Sequence, residues 1–309
     1  MSMLALCMVV KDEVGRLEAC LDPLLNHVDD VVIVDTGSTD GTIELLELRY
    51  GIAPLHGRLE PSRCLCKGDL RNYAYLQCKA DWILSIDADE RVYPDSIKRI
   101  LEKIQDKNAP AGFFGKWINH LQGHQDFEDY KLFLFRRGLR KRGLVHENVQ
   151  LDIREAGLTA DWLHGFEVHH YPDPSKHEFK THLYRKRLEC ALTHQPEWPR
   201  YNWFLGYMHY QAGEWEEACM HFDKVISAQP ALFPVECLNC HMLRIEIAAS
   251  QGIPKLVEDL LEDARNYYQC VATDFEVKVN FRILPWLENV ERLTQCGQLE
   301  DIRAYRFAR

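Results

Sequence analysis

Asp87-Ala88-Asp89-Glu90 closes an apolar run at 82–86 (Trp-Ile-Leu-Ser-Ile) that reads as a buried strand. Carboxylates placed where a strand leaves a sheet can hold a divalent cation against the phosphates of a nucleotide. About fifty residues earlier, 31–41 (Val-Val-Ile-Val-Asp-Thr-Gly-Ser-Thr-Asp-Gly) offers a second acidic strand end, Asp35, followed by a turn of glycine, serine and threonine. Two such ends point to a nucleotide-phosphate site on an α/β sheet.

The elements that must position these acids follow from apolar periodicity. Residues 4–10 read as a first strand and 31–34 as a second. Between them, Leu17, Cys20, Leu21, Leu24 and Val28 fall at helical spacing. Asp40-Gly41-Thr42 opens a leucine-rich helix through Tyr50, with capping residues ahead of it. A short strand at 52–55, a helix at 69–79 and a helix at 94–105 complete the alternation. It predicts a mostly parallel sheet with helices on both faces and ligands outside the carboxyl ends of the strands, where Asp35, Asp87 and Asp89 fall.

Beyond 112 the pattern changes to longer strands at 112–120 and 131–135, separated by a polar segment with Gln122, Gly123, His124, Asp126, Glu128 and Asp129. That segment is expected to form a loop over the site. A Pro-Asp-Pro turn after Tyr171 places the end of the first domain at 173, and 174–309 is predominantly helical. Within it, 202–230 resembles a tetratricopeptide unit in its Leu-Gly, Gly-x-aromatic, Ala, Phe and final Pro, with Asn202 in place of the usual early Trp. Residues 237–250 and 254–268 continue the stack less regularly. This tail either binds a protein partner or stabilises the first domain.

The chain has 309 residues, a hydrophobic fraction of 46% and a charged fraction of 27%, as in an ordinary soluble protein. A net charge of -10 argues against a nucleic-acid binder. The basic run Arg136 to Arg142 is a local exception; Arg140, Lys141 and Arg142 either steer phosphate-bearing ligands or form a solvated face. No apolar stretch reaches the roughly 18 residues of a membrane span, and the N-terminus has no signal-peptide pattern. A cytoplasmic protein is expected, soluble or peripheral at the inner face of the membrane. The cysteine pairs Cys64/Cys66 and Cys237/Cys240 read as small buried side chains rather than zinc ligands.

Four motifs in order carry a resemblance. They are 7–13 (Cys-Met-Val-Val-Lys-Asp-Glu), 34–42 (Val-Asp-Thr-Gly-Ser-Thr-Asp-Gly-Thr), 68–72 (Gly-Asp-Leu-Arg-Asn) and 81–90 (Asp-Trp-Ile-Leu-Ser-Ile-Asp-Ala-Asp-Glu). Over 3–171 the chain resembles a family-2 glycosyltransferase. The similarity extends to bacterial enzymes with a tetratricopeptide-like tail, including lipopolysaccharide-core and peptide S-glycosyltransferases. The resemblance implies an α/β GT-A fold with a mixed central sheet, followed by an α-helical tetratricopeptide-like domain. It also implies a hexosyltransferase-like enzyme using a nucleotide diphosphate sugar, UDP-linked, with Mn²⁺ or Mg²⁺.

On that resemblance Val10, Lys11, Glu13 and Asp35 lie on the uracil and ribose side of the donor, Asp35 being equally suited to cap its own turn. Arg71 and Asn72 approach the base, diphosphate or sugar, although Arg71 is also placed to pair with Asp87. Asp87, Ala88 and Asp89 follow the ribose and donor sugar. Asp89 is the leading metal ligand with Asp87 beside it, and His169, or His170 in the same doublet, completes the metal or phosphate site. Glu90 is expected to face away. The Val-His-Glu element makes Glu147 the candidate base and His146 a positioning group, with Asp126 and Asp129 as competitors. The chain lacks the recognisable acidic pair that some family members carry at the acceptor site.

The expected acceptor is a saccharide or lipid-linked glycan, reached with inversion. The alternatives are a peptide acceptor docked by the helical tail, nucleotidylyl transfer with release of pyrophosphate, and a noncatalytic scaffold.

Overall fold

β1 (Leu4–Val10) and β2 (Asp30–Asp35) are runs of β-branched and aliphatic residues buried along most of their length, the pattern of strands covered on both faces. The computed structural model describes residues 2–57, 67–120, 125–173, 177–228, 232–280 and 282–304. The chain divides after Thr181 into two compact units.

In the first unit, β1 pairs in parallel with β2 and with β4 (Trp82–Ser85), and β2 pairs with the short β3 (Leu55–His56). The helices α1 (Val14–Leu21), α2 (Thr42–Tyr50), α3 (Lys67–Gln77) and α4 (Pro94–Lys103) fall between or after these strands. Beyond them lie β5 (Glu90–Arg91), β6 (Gly112–Asn119), β7 (Phe127–Arg136), the short α5 (Gln150–Glu155) and β8 (Ala160–His170). The eight strands form one sheet in the order β3-β2-β1-β4-β7-β6-β8-β5. β7 is antiparallel to both β4 and β6, and β5 is antiparallel to β8. The sheet is therefore mixed, as the fold class required. Leu4, Leu6, Met8, Leu17, Trp82, Phe113 and Phe166 belong to one buried core cluster.

Two expectations need correction. The strand expected at 52–55 shrinks to Leu55–His56, because Gly51 (φ 66°) ends α2 in the left-handed conformation and the Ile52 N–H donates back to the Leu46 carbonyl at 3.0 Å. The polar segment before 131 is not all loop. Glu128 and Asp129 lie in β7 opposite Ile118 and Trp117, and the Lys116 ammonium pairs with Glu128 at 3.0 Å across the strands. Gln122, Gly123 and His124 lie outside the described residues, as do Cys64 and Cys66.

The second unit is helical: the greater part of α6 (His177–His194), then α7 (Pro199–Gln211), α8 (Trp215–Ser227), α9 (Pro234–Ser250), α10 (Pro254–Val271), α11 (Phe275–Val279) and α12 (Ile283–Gln295). Gly206 on α7 lets α8 approach closely: a Cβ there would stand 2.7 Å from the ring of buried Phe222. Asn202 is buried and bonds His221 at 3.0 Å. Cys237 and Cys240 are buried thiols, and burial pushes the Cys237 thiol up to about 12. Among the described residues no helix is long and apolar enough to cross a membrane.

Gly115 has the same packing role in the sheet, where an added Cβ would lie 2.9 Å from the ring of fully buried Phe166. Gly115→Ala is expected to lower stability by about 1–3 kcal/mol through overpacking. A reduced urea midpoint with an unchanged slope checks this; an unchanged midpoint refutes it.

Candidate active site

β1, β2 and β4 run in parallel, with Val10 opposite Asp35 and Cys7 opposite Ser85, so their carboxyl ends open on one edge of the sheet. The loops leaving β1 and β2 clasp each other. The Asp12 N–H donates to Ser38 Oγ at 2.8 Å, Thr39 N–H to Asp12 Oδ1 at 2.8 Å, and Glu13 N–H to Thr42 Oγ1 at 2.9 Å. These bonds hold Asp12 at φ 53°, a left-handed conformation unusual for a residue with a side chain. Asp35 is 1% exposed, and its Oδ1 accepts from the N–H groups of Gly37 and Ser38 at 2.8 and 3.0 Å. Ser38 Oγ donates to its other oxygen. Asp35 thus builds its own turn. Val10 is buried, Lys11 is exposed, and Glu13 pairs with Arg16, which also holds Asp173.

The 87–91 loop is fixed mainly through backbone. Arg91 Nη1 donates to the Ala88 and Glu90 carbonyls at 2.7 and 2.9 Å, and Tyr171 N–H donates to the Asp89 carbonyl at 2.9 Å. Glu90 is central to this loop: buried, it accepts from the Asp87 N–H and from the Trp117 indole N–H, both at 2.9 Å. Burial, then the charge of Asp87, raises its pKa. Trp117 carries the Lys131 ammonium 3.1 Å from its ring centroid, and burial lowers that lysine's pKa.

Arg71, on α3, joins two segments. Its Nη2 donates to Asp87 Oδ1 at 2.7 Å and its Nη1 to Glu147 Oε1. The Glu147 side chain is 8% exposed. Burial pushes its pKa up, but the charges of Arg71 and Lys141 overcome this and hold it below the usual carboxylate value. Glu147 reaches this place across Gly68, where a Cβ would stand 3.2 Å from its Cγ. Asn72 clamps the Lys141 backbone with two bonds, accepting from its N–H at 2.8 Å and donating to its carbonyl at 2.9 Å. The basic run divides here: Arg140 and Arg142 turn to Asp152, and Arg142 also to Glu155. His146 is exposed with φ 53°.

The His169/His170 doublet separates by strand alternation. It is His170 whose Nε2 lies 3.4 Å from Asp89 Oδ2, its Nδ1 being 2.6 Å from Asn119 Oδ1. His169, the metal ligand that the resemblance implied first, instead meets His120 at 2.9 Å, and His120 meets Asp126 at 2.8 Å. Tyr171 stacks on His120 with centroids 4.6 Å apart. Asp126 therefore belongs to this ring stack. Asp129 sits in β7, its Oδ1 taken by the Tyr130 N–H at 2.8 Å. Arg71, Asp87 and Glu147 converge, as do Asp89 and His170.

Sequence reasoning missed Lys131, Trp117 and the His120–Tyr171 stack. Lys131 had a signal, as a lone charge opening the apolar strand segment Leu132 to Phe135. Among the described residues no three His, Cys, Asp or Glu side chains converge to hold a metal ion.

Residues 5–150 match the family model described as Glycosyl transferase family 2, a little under half of the chain. Over these residues, and on a mixed α/β sheet, the first unit is therefore similar to family-2 glycosyltransferases. The chain is 31% identical over 111 residues to a TPR repeat-containing protein of Synechococcus elongatus, covering 36% of this chain and 26% of that one. It is 20% identical over 229 residues to the SPbeta prophage-derived glycosyltransferase SunS of Bacillus subtilis, covering 71% of this chain and 52% of SunS. The chain thus spans from about a quarter to about half of these two relatives. Among solved structures, S. aureus TarS 1–349 in complex with UDP aligns at TM-score 0.46 and 14% identity, covering 99% of this chain and 94% of that one.

Arg71→Met removes the cation that Asp87 and Glu147 share, and breaking such a buried pair is expected to cost about 3–5 kcal/mol at neutral pH. Because the pKa of Glu147 is depressed in the folded protein, its contribution is present above the unfolded carboxylate pKa and is lost as pH falls through the lower folded value. The stability gap between wild type and variant should stay level at neutral pH and narrow as pH falls below about 4. Urea unfolding across pH checks this; a constant gap would contradict it.

Proposed function

We propose that residues 1–173 form a catalytic domain that transfers a sugar from a nucleotide diphosphate donor, UDP-linked, to a saccharide or lipid-linked glycan, with inversion. The observation that carries this reading is the 87–91 loop. Its backbone is anchored at the carboxyl edge of parallel strands, and its Asp89 carboxylate stands beside His170. Ligands of open α/β sheets bind at that edge, and the family-2 match covers the same strands.

Asp89 and His170 would hold a Mg²⁺ or Mn²⁺ ion, with Asp87 next to them. Two protein donors suit such an ion, which keeps its remaining positions for substrate phosphates and water. When bound, such an ion would supply positive charge against the departing nucleoside diphosphate. Asp35 shapes the turn against which the base and ribose lie. Arg71 orients Asp87. Glu147 is ionised at neutral pH and takes the acceptor hydroxyl proton, and direct attack at the anomeric carbon then inverts configuration.

The helical residues 174–309 are read as tetratricopeptide-like. The close approach of α7 and α8 at Gly206 supports this. Such a tail suits docking of a polypeptide, which keeps a peptide acceptor as the second reading.

Incubation with a panel of nucleotide sugars and Mn²⁺ or Mg²⁺ should show selective nucleoside diphosphate release on adding glycan acceptors, together with thermal stabilisation by one donor. Asp89→Ala should lose the metal-dependent part of both. A folded protein that binds no nucleotide sugar and supports transfer to neither glycan nor peptide would sink the reading. Glu147→Gln should lower turnover by about 10²–10⁴-fold. If Asp126→Asn does so instead, the base lies at the histidine stack.

A further inference from the structure

Lys141 is a half-buried cation near the acidic edge whose charge is left unanswered at close range among the described residues. Its backbone is fixed on α3 by both bonds to Asn72. The residue is half-buried. Among the described residues its ammonium makes no hydrogen bond and no ion pair. The charged groups acting on it are Arg71 from α3, Glu147 from its own loop, and Asp87 and Glu90 from the loop after β4. Arg71, which repels it, already engages Asp87 and Glu147. A half-buried ammonium beside a guanidinium, with both nearby carboxylates bound to that guanidinium, is a costly arrangement unless an anion arrives.

The site is an open edge next to Asp87 and Asp89, where a polyanion is expected on the reading above, on which this inference rests. We propose that Lys141 is a diphosphate-binding residue of the donor site, and that Glu147 acts as an internal stand-in for the diphosphate until the donor enters. When the donor binds, its phosphate oxygens accept hydrogen bonds from the Lys141 ammonium and compete with Glu147 for Arg71. Glu147 then loses part of the positive field that holds its pKa down and becomes a stronger base. Donor binding thereby prepares the group that deprotonates the acceptor, with no movement of the sheet required.

Burial, followed by the charge of Arg71, lowers the Lys141 pKa to about 8. A phosphate beside the amine favours its charged form and raises that value. Near pH 8 nucleotide binding should therefore take up about half a proton per site.

The test is titration calorimetry of the full chain, with Mg²⁺ present throughout, with UDP, GDP, dTDP and CDP, carrying the tightest binder forward at pH 8 in buffers of different ionisation enthalpy. Wild type should bind one of them with proton uptake. Lys141→Met should bind it at least roughly tenfold more weakly, the loss of one charge-assisted contact, and without that uptake. Lys141→Arg should restore affinity but not uptake, since arginine does not titrate at this pH. Glu147→Gln, which removes the internal competitor, should bind more tightly than wild type. Thermal melts confirm that each variant is folded, and Lys141→Arg carries the test if Lys141→Met is not. Equal affinity of the folded Lys141→Met variant and wild type, or unchanged uptake in Lys141→Arg, overturns the inference and leaves the donor reading standing. Failure of wild type to bind any of the four overturns both.

Discussion

The Arg71 guanidinium ties two carboxylates from separate parts of the chain to one side chain. Its two carboxylate partners lie 16 and 76 residues away in sequence, one after β4 and one beyond β7. Several acids are gathered along one edge of the sheet, where each would raise the pKa of the next. The fork of Arg71 lets two of them stay ionised at close quarters. Lysine could not replace it geometrically, because a single ammonium lacks two parallel donors aimed at separate carboxylates.

The other acids of this edge are stabilised by different means. Glu90 is sunk into the sheet, where the Trp117 indole and the Asp87 amide satisfy its oxygens. Lys131 lies against the face of the same indole, so one aromatic ring serves an anion through its N–H and a cation through its π-cloud. Asp89 is reached last, through one backbone bond from Tyr171 and the proximity of His170. The loop's shape is thus set before any ligand is present, which is the form of preorganisation that electrostatic catalysis requires.

Much of the first unit was legible because its strands are short apolar runs with acids at their ends. Asp35, Asp87 and Asp89 fall at the edge that pattern assigned to them. What stayed hidden depends on tertiary pairing. The division of His169 from His170 follows from which face of β8 each occupies, and a doublet without its register carries no such information. The buried role of Glu90 was equally inaccessible: read locally it is one more acid after Asp89, and only Trp117 on β6 reveals its partner. Asp129 was misplaced because a polar stretch reads as loop, whereas cross-strand pairs such as Lys116 with Glu128 make it a solvated strand. In the second unit the spacing of Leu205-Gly206 and Phe222 anticipated a tight helical hairpin, since only glycine fits against that ring.

The two-residue β5 has one partner in the sheet, β8, with Glu90 opposite His170. A chain leaving the ribosome has β1, β2 and β4 available once residue 85 is made. The strand that completes the acidic edge is synthesised only roughly eighty residues later. Long-range pairings of this kind are closed late, because the loop entropy must be met before the contact forms. An unfinished chain would accordingly hold the parallel half of the sheet while its acidic loop still lacked a fixed position, so the shape of this edge is a property of the finished first unit alone.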